Sequence, residues 1–182
     1  MRNQQREDNK MTHTDPKQER IERASIKAGD YEEESRNCAQ GTLFALQEEF
    51  ALPNGEALLN SAMFLPGVGS RKEVCGALLG GLMALGLAYG RCRLTDPSYA
   101  SPELDSEMLN IRRDKILRYC EAFKAAFGST MCGVIRPLIM GRDYDALDPE
   151  DRKQFIANEG YKKCRLPAET AARIVAEILV ER

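Results

Sequence analysis

The sequence predicts an all-α protein, a compact helical bundle around a central helix rich in glycine and alanine, with no significant sheet. Apolar residues recur at three- and four-residue steps in almost every segment, and no run alternates between apolar and polar residues as a strand would. In the uncharged stretch 74–90, small residues stand four apart at Gly76, Gly80, Ala84 and Ala88. A helix with so little bulk on one side is predicted to pack closely against another helix.

The chain has 182 residues, of which 43% are hydrophobic and 30% charged, and its net charge is -2. This length favours one folded domain, and so weak a charge does not indicate nucleic acid as a partner. The first twenty residues contain no Val, Ile, Leu, Phe or Tyr to bury, and they lack the apolar stretch of a signal peptide. We therefore predict a disordered polar tail over 1–17, a single all-helical domain containing the cysteines over 18–182, and a cytoplasmic location.

The first predicted helix begins near Gln18 and has a thin apolar stripe on a mostly charged surface. The stripe consists of Ile21, Ala24 and Ile26. This pattern is typical of a lid or a partner helix, in which Glu32 to Glu34 belong to a solvated face. The second helix is predicted to begin at Cys38, because Asn37 is a good N-cap.

The central stretch could also be read as a membrane span, because its 17 uncharged residues reach the lower limit for crossing a bilayer. Basic residues flank it on both sides, the chain offers no second span, and its five glycines suit packing within a protein better than contact with lipid. The sequence therefore predicts a buried helix and no membrane span.

The C-terminal half is predicted to contain four more helices. The linker "DPSYASPE" leads to a long helix over Pro102–Phe127. Ser129 is predicted to cap the next helix, whose first turn contains Cys132. Asp148 is the predicted N-cap of another, and Cys164 comes just before the terminal helix.

Four of the six cysteines lie at or just before a predicted helix start. They are Cys38, Cys75, Cys132 and Cys164. The free N–H groups and partial positive charge of a helix N-terminus lower the pKa of a thiol, which favours a nucleophile or a metal ligand. Cys120 shares a helix face with Phe123 and is predicted to pack, and Cys92, between two arginines, is predicted to be an exposed or loop-packed thiol.

The spacing of these cysteines contains no Cys-x-x-Cys pair, so the site must be assembled by folding. The only histidine, His13, lies in the predicted tail, and a metal in the folded domain would therefore be bound mainly by sulfur, completed by a carboxylate, water or another ligand. Soft ligands suit an iron–sulfur cluster or zinc. The loop "PGVGS" and the amides of Gly76 and Ala77 favour a cluster, because N–H groups directed at sulfur tune its potential.

Short motifs surround the four cysteines: "NCAQ" at Cys38, "CGALLG" from Cys75 followed by "MALGLAYG", "FGSTMC" ending at Cys132, and "KKC" ending at Cys164. With these motifs, roughly residues 20–182 resemble the C_GCAxxG_C_C family of redox-active proteins. The resemblance implies redox or metal chemistry without a stated substrate. The unit is also similar to the iron–sulfur part of split-Soret cytochromes, which favours a cluster, whereas the lack of Cys-x-x-Cys-His means that haem is not implied.

We therefore expect the four cysteines to ligate an iron–sulfur cluster that passes electrons to a redox partner protein, with zinc as the alternative metal. Two other functions stay open: a metal-free thiol–disulfide protein, and a helical interaction module whose cysteines merely pack. The chain has no conventional catalytic constellation, such as a Cys–His pair or a phosphate-binding loop, so enzymatic activity is undecided. The sequence does not name the partner, and it leaves a homo-oligomer open.

Overall fold

The computed structural model describes residues 15–97, 107 and 110–182 of the chain. The described residues fold into helices, and the one β pairing among them is an isolated antiparallel bridge between Val74 and Met131. The predicted all-α class without a significant sheet is thus confirmed. Residues 1–14 of the predicted tail, nearly all of the linker and the predicted start of the long helix lie outside the described residues.

The described residues contain a series of helices along the chain. They are α1 (Pro16–Ser35), α2 (Cys38–Phe50), α3 (Glu56–Ser61), α4 (Gly67–Ser70), α5 (Gly76–Tyr89), a π-helical segment (Ile111–Ile116) that continues into α6 (Leu117–Phe127), α7 (Cys132–Met140), α8 (Pro149–Ala157), α9 (Gly160–Lys163) and α10 (Arg165–Leu179).

Side-chain caps set the starts of three helices, α1, α2 and α8. The side chain of Asn37 accepts a hydrogen bond from the Gln40 amide at 3.1 Å, so the predicted cap of α2 is confirmed. Asp148 likewise caps α8. The predicted cap of α7 is wrong: the cap is Met131, and Ser129 accepts a hydrogen bond from the Met131 amide, two residues further along the chain.

Four helices, α1, α2, α5 and α10, pack on one another and enclose an alanine-rich core. Because alanine is small, the helix backbones approach closely. Helix α1 packs along both α2 and α10, so the prediction of a lid or partner helix is wrong. Ile21 and Ala24 are buried as predicted, but Ile26 is 48% exposed, and Ala28 continues the buried face instead. Helix α1 starts at Pro16, slightly before the predicted start near Gln18.

Helix α5 is the predicted central helix, and it packs against α2 and α10. A Cβ atom on Gly80 would overlap the carbonyl group of Ala39 in α2, and one on Gly76 would lie 2.8 Å from the Cα of Pro66. The predicted close packing at both glycines is confirmed. Among the described helices, none combines the length and apolarity needed to cross a membrane.

Helix α6 holds the first turn of α5 in place. Tyr119 is fully buried, and its hydroxyl donates to the carbonyl of Leu78 at 3.1 Å and to that of Ala77 at 3.3 Å. A buried hydroxyl that lost these partners would carry a desolvation cost of about 1–3 kcal/mol. The N-terminus of α5, which follows Cys75, is therefore fixed from outside its own helix.

Candidate redox site

Two loop segments, one before α5 and one before α7, run side by side in opposite directions. The Cys75 amide donates to the Thr130 carbonyl at 2.9 Å, and the Cys132 amide donates to the Glu73 carbonyl at 2.6 Å. These hydrogen bonds place the starts of the two helices next to each other. Cys75 and Cys132, far apart in the sequence, therefore become neighbours in the fold.

The loop that precedes Cys75 has an unusual backbone. Val68, Ser70 and Lys72 all have positive φ angles, between 40° and 67°. Non-glycine residues in this region cost of order 1 kcal/mol or more each, so surrounding contacts must hold the loop. Gly67 in this loop faces Cys132, and a Cβ there would lie 3.6 Å from the Cys132 sulfur. The loop thus forms one wall beside that sulfur.

Close contacts between helices bring a third cysteine, Cys38, next to the start of α5. A Cβ on Gly41 of α2 would lie 2.8 Å from the backbone nitrogen of Glu32, so α1 and α2 are in backbone contact there. The start of α2 also meets the start of α5, because a Cβ on Gly76 would lie 2.6 Å from the Cys38 sulfur. Cys38, the first residue of α2, therefore lies between Glu32 and the N-terminus of α5.

Cys164 joins the group from the junction of α9 and α10. It lines a cavity of about 500 Å³ together with Cys38, Cys132 and Glu32. Cys75 lies behind this wall, 5% exposed, and its side chain is hydrogen bonded with that of Cys38. The structure therefore brings together the four cysteines that sequence analysis singled out, each from a different connection between helices.

Cys75 is the one cysteine of this group whose pKa is lowered. The hydrogen bond from Cys38 contributes most to this shift, and the amides of Leu78 and Ala77 at the start of α5 add to it. The Cys75 sulfur lies near these two amides, although its side chain makes no capping hydrogen bond at the start of α5. The predicted amides were those of Gly76 and Ala77, so Leu78 takes the place of Gly76 beside this sulfur.

The pKa values of the other three thiols are raised, contrary to the prediction for helix starts. Cys38 donates to Cys75 and is buried, which raises its pKa well above the usual range. Burial, and then the charge of Cys75, raises the pKa of Cys132 to about 11. Burial and the nearby Glu32 raise the pKa of Cys164. The cost of burying a charge thus outweighs the partial charge of a helix end.

Glu32 is a site residue that sequence analysis missed. It is 3% exposed, and its Oε2 atom is buried without a hydrogen-bond partner. Burial, and then the charge of Cys75, raises its pKa well above the usual range. The predicted solvated face is therefore wrong for Glu32, although Glu33 and Glu34 are exposed. Its position four residues after the buried Ala28 was the available signal.

Arg136 is the second residue that sequence analysis missed. It lines the same cavity, and its Nε atom is buried without a partner. A second nitrogen of this guanidinium, Nη2, donates to the Tyr144 carbonyl and lies 3.4 Å from Oδ1 of Asp143. The guanidinium partly opposes the raised pKa values of Cys132 and Cys164. The available signal was its position one helical turn after Cys132.

The two remaining cysteines lie outside the site. Cys92 is exposed, and Cys120 is partly buried against the core near Tyr119. Neither of them lines the cavity. The sequence analysis distinguished these two cysteines from the other four correctly.

Four thiols and one carboxylate form a donor set that fits iron or zinc chemically. Three of the thiols hold their protons at neutral pH, and a bound cation would replace those protons. In the part of the chain that the structure describes, no three His, Cys, Asp or Glu side chains are arranged to hold one metal ion. The metal-ligand role of the cysteines, and the cofactor contacts of Gly76 and Ala77, therefore remain predictions.

Comparison with known proteins gives one match. A family model described as "Putative redox-active protein (C_GCAxxG_C_C)" matches residues 36–178. This range covers most of the chain and includes all four cysteines of the site. Neither a search of curated proteins nor one of solved structures returned a match.

Proposed function

Because the chain belongs to the C_GCAxxG_C_C family of redox-active proteins, we propose that it is an electron-transfer protein whose four site cysteines ligate an iron–sulfur cluster. The observation that carries this proposal is the convergence of four thiols, one buried and three partly buried, from four separate connections. Packing alone gives no reason for thiols to converge, whereas thiolates are the ligands that clusters require. The ligands would be Cys38, Cys75, Cys132 and Cys164.

The charges around the site support a bound cation. Deprotonation of Cys38, Cys132 and Cys164 is unfavourable while they share a buried space with Glu32. A metal would stabilise the thiolates in that space, since its positive charge offsets theirs. When bound, a cluster supplies one-electron transfer at a potential set by burial and by hydrogen bonds to its sulfurs. The amides of Ala77 and Leu78 and the Arg136 guanidinium are the donors available for this tuning.

The location of the site also suits electron exchange with a partner protein. Cys38, Cys132 and Cys164 lie on the wall of a cavity that opens to the surface, so a partner can come close to them. Large apolar side chains also line this cavity: Met63 is 50%, Phe64 78% and Leu147 72% exposed. Exposed apolar surface of this kind favours contact with another protein.

A metal-free thiol–disulfide function is the second candidate, favoured by the hydrogen bond between Cys38 and Cys75. The Cys75 thiolate would attack a partner protein's disulfide, and Cys38 would then displace the partner from the mixed disulfide. The pair is oxidised to one disulfide, and the partner's disulfide is reduced to two thiols. This chemistry leaves Cys132, Cys164 and Glu32 without a role, so we place it second.

The test begins with wild-type protein purified without oxygen, on which iron, sulfide and zinc are measured together with visible absorption. The cluster proposal expects iron, sulfide and absorption in the wild type, and loss of all three in Cys75→Ser, because serine is a poor, hard ligand. The matched control is Cys92→Ser, in which an exposed thiol outside the site is removed. It should keep the metal content and spectrum of the wild type.

Three other results of these measurements would each indicate a different function. A colourless protein that contains zinc would indicate a structural metal site. A metal-free protein that loses two thiols on mild oxidation, and in which Cys75→Ser leaves Cys38 reduced, would indicate the thiol–disulfide function. If reconstituted wild-type protein takes up no metal and forms no reversible disulfide, both redox functions are wrong, and the cysteines are packing residues of an interaction module.

A further inference from the structure

The Glu32 carboxyl group is buried in a way that protein contacts do not explain. Glu32 lies in the last turns of α1 and is 3% exposed, and its Oε2 atom has no hydrogen-bond partner. A buried polar atom without a partner is costly, and a buried carboxylate without a counter-charge is costlier still. A group in this position needs a partner that the protein chain itself does not supply.

Four cations line the cavity with Glu32: three of them contact other groups, and the fourth, Arg152, is exposed. Arg36 lies over the ring of Tyr161, and Lys72 pairs with Asp143 at 2.5 Å. Arg136 also contacts Asp143. No described basic side chain therefore satisfies the Oε2 atom of Glu32.

The Glu32 carboxyl group lines the same cavity as three of the four site thiols. Glu32, Cys38, Cys132 and Cys164 line one cavity, and the charge of Glu32 contributes to the raised pKa of each of these three cysteines. Cys75 in turn contributes to the raised pKa of Glu32. The unpaired oxygen thus belongs to a side chain that shares the cavity wall with three of the site thiols.

We propose that Glu32 is an oxygen ligand of the metal centre held by the cysteines, so that the centre has mixed sulfur and oxygen coordination. This inference rests on the metal-binding function proposed above. A bound cation supplies the positive charge that a buried carboxylate requires, and a carboxylate is a common ligand of both iron and zinc. Its position in the body of α1, a core helix, holds the oxygen at a fixed place relative to Cys38.

The experiment uses Glu32→Gln, which keeps the size of the side chain but removes its charge. The matched control is Glu34→Gln, which makes the same chemical change at an exposed position two residues away. Metal-free full-length proteins are titrated with Co²⁺ alone, without oxygen. Bands of thiolate-to-Co²⁺ charge transfer count the sulfur ligands, and the energies of the d–d bands distinguish all-sulfur from mixed sulfur–oxygen coordination. Iron content after anaerobic purification is a second readout.

We expect Glu32→Gln to bind Co²⁺ about 10- to 100-fold more weakly than the wild type. Its d–d bands should shift towards those of all-sulfur sites, while its charge-transfer intensity per bound ion is kept. Glu34→Gln should match the wild type in both respects. The metal-free Glu32→Gln protein should melt at about the same temperature as the wild type, because the buried carboxyl group, whose pKa is raised, and the amide are both neutral and similar in size. Weaker binding could then not be attributed to unfolding.

Two results would overturn the inference, and they distinguish a failure of this inference alone from a failure of the proposed function. If the wild type binds Co²⁺ through thiolates and Glu32→Gln has the same affinity and d–d bands, Glu32 is not a ligand and the proposed function still stands. If the wild type shows no thiolate-to-Co²⁺ bands and takes up no iron, the metal-binding function fails, and the role of Glu32 fails with it.

Discussion

Replacing Gly76 with alanine tests the link between helix packing and the cysteine site. The added Cβ would lie 2.6 Å from the Cys38 sulfur and 2.8 Å from the Cα of Pro66, whereas ordinary contacts begin at 3.4 Å. The Pro66 backbone must therefore retreat by about 0.6 Å and the Cys38 sulfur by about 0.8 Å or more, in a region with native packing density. Cys38 begins α2 and Pro66 precedes α4, so the added methyl group pushes both segments away from the start of α5.

Overpacking of this kind costs about 1–3 kcal/mol. The opposing gain in helix propensity is about 1 kcal/mol in a helix interior and smaller at the first helical position, where Gly76 lies. We therefore expect a net destabilisation of about 1–2 kcal/mol, which lowers the melting temperature of a chain of this size by roughly 3–8 °C. Thermal and urea unfolding measure this effect, and metal uptake should fall with it because Cys38 is displaced.

The matched control for Gly76→Ala is Gly86→Ala in the same helix. Gly86 is exposed, and a Cβ there would meet nothing within 4 Å. This variant should be more stable than the wild type by about 0.5–1 kcal/mol and should bind metal normally. The two substitutions are therefore expected to have opposite signs. A Gly76→Ala protein that melts at or above the wild-type temperature, with unchanged metal uptake, would refute the reasoning.

Three more measurements test the surroundings of the site. Asn37→Ala removes the cap of α2 and a 2.9 Å hydrogen bond to the Met63 carbonyl, so urea unfolding should show a loss of about 1–2 kcal/mol, and no loss would contradict the capping role. Zinc binding at about pH 7 should release at least three protons per chain if all the site cysteines ligate the metal, because raised pKa values keep Cys38, Cys132 and Cys164 protonated, and an indicator dye measures this release. A hydrogen bond from Lys72 lowers the pKa of Asp143 from 3.8, so the stability from this pair is full above that pH and lost as pH falls below it. Asp143→Asn should therefore lower the melting temperature at about pH 6, and its effect should shrink as the pH falls below 3.8; an effect that does not change with pH would contradict this assignment.

Helix positions were largely predictable because their causes are local. Asn37 and Asp148 cap helices through hydrogen bonds that span only two or three residues. The spacing of small residues in α5 likewise predicted its close contacts. The prediction failed for α1, whose few apolar residues are typical of a surface helix. In this fold alanine provides the buried face of α1, and alanine is too common on helix surfaces to reveal burial from the sequence alone.

The cysteines of the site were predictable because chain position alone distinguishes them. Four cysteines at helix starts differ from Cys92 and Cys120 in the sequence itself, and the structure keeps that division. Their pKa values were not predictable, since burial depends on what covers each sulfur. Cys75 kept the lowered pKa typical of a helix start because Cys38 donates to it, and that contact exists only after α2 and α5 have met.

The sequence by itself determined the helical class, the caps of α2 and α8 and the identity of the four cysteines, since each follows from residues close together in the chain. Only the tertiary structure decided which thiols are protonated and which other residues join them. Glu32 and Arg136 have ordinary helical neighbours in the sequence, and their local signals, one helical turn after Ala28 and after Cys132, do not by themselves mark them as members of a site. They belong to it because the contact of α1 with α2, and the antiparallel pairing of the loops before α5 and α7, bury them beside the same sulfurs. Burial and charge act through space, and a sequence specifies distances in space only once the chain has folded.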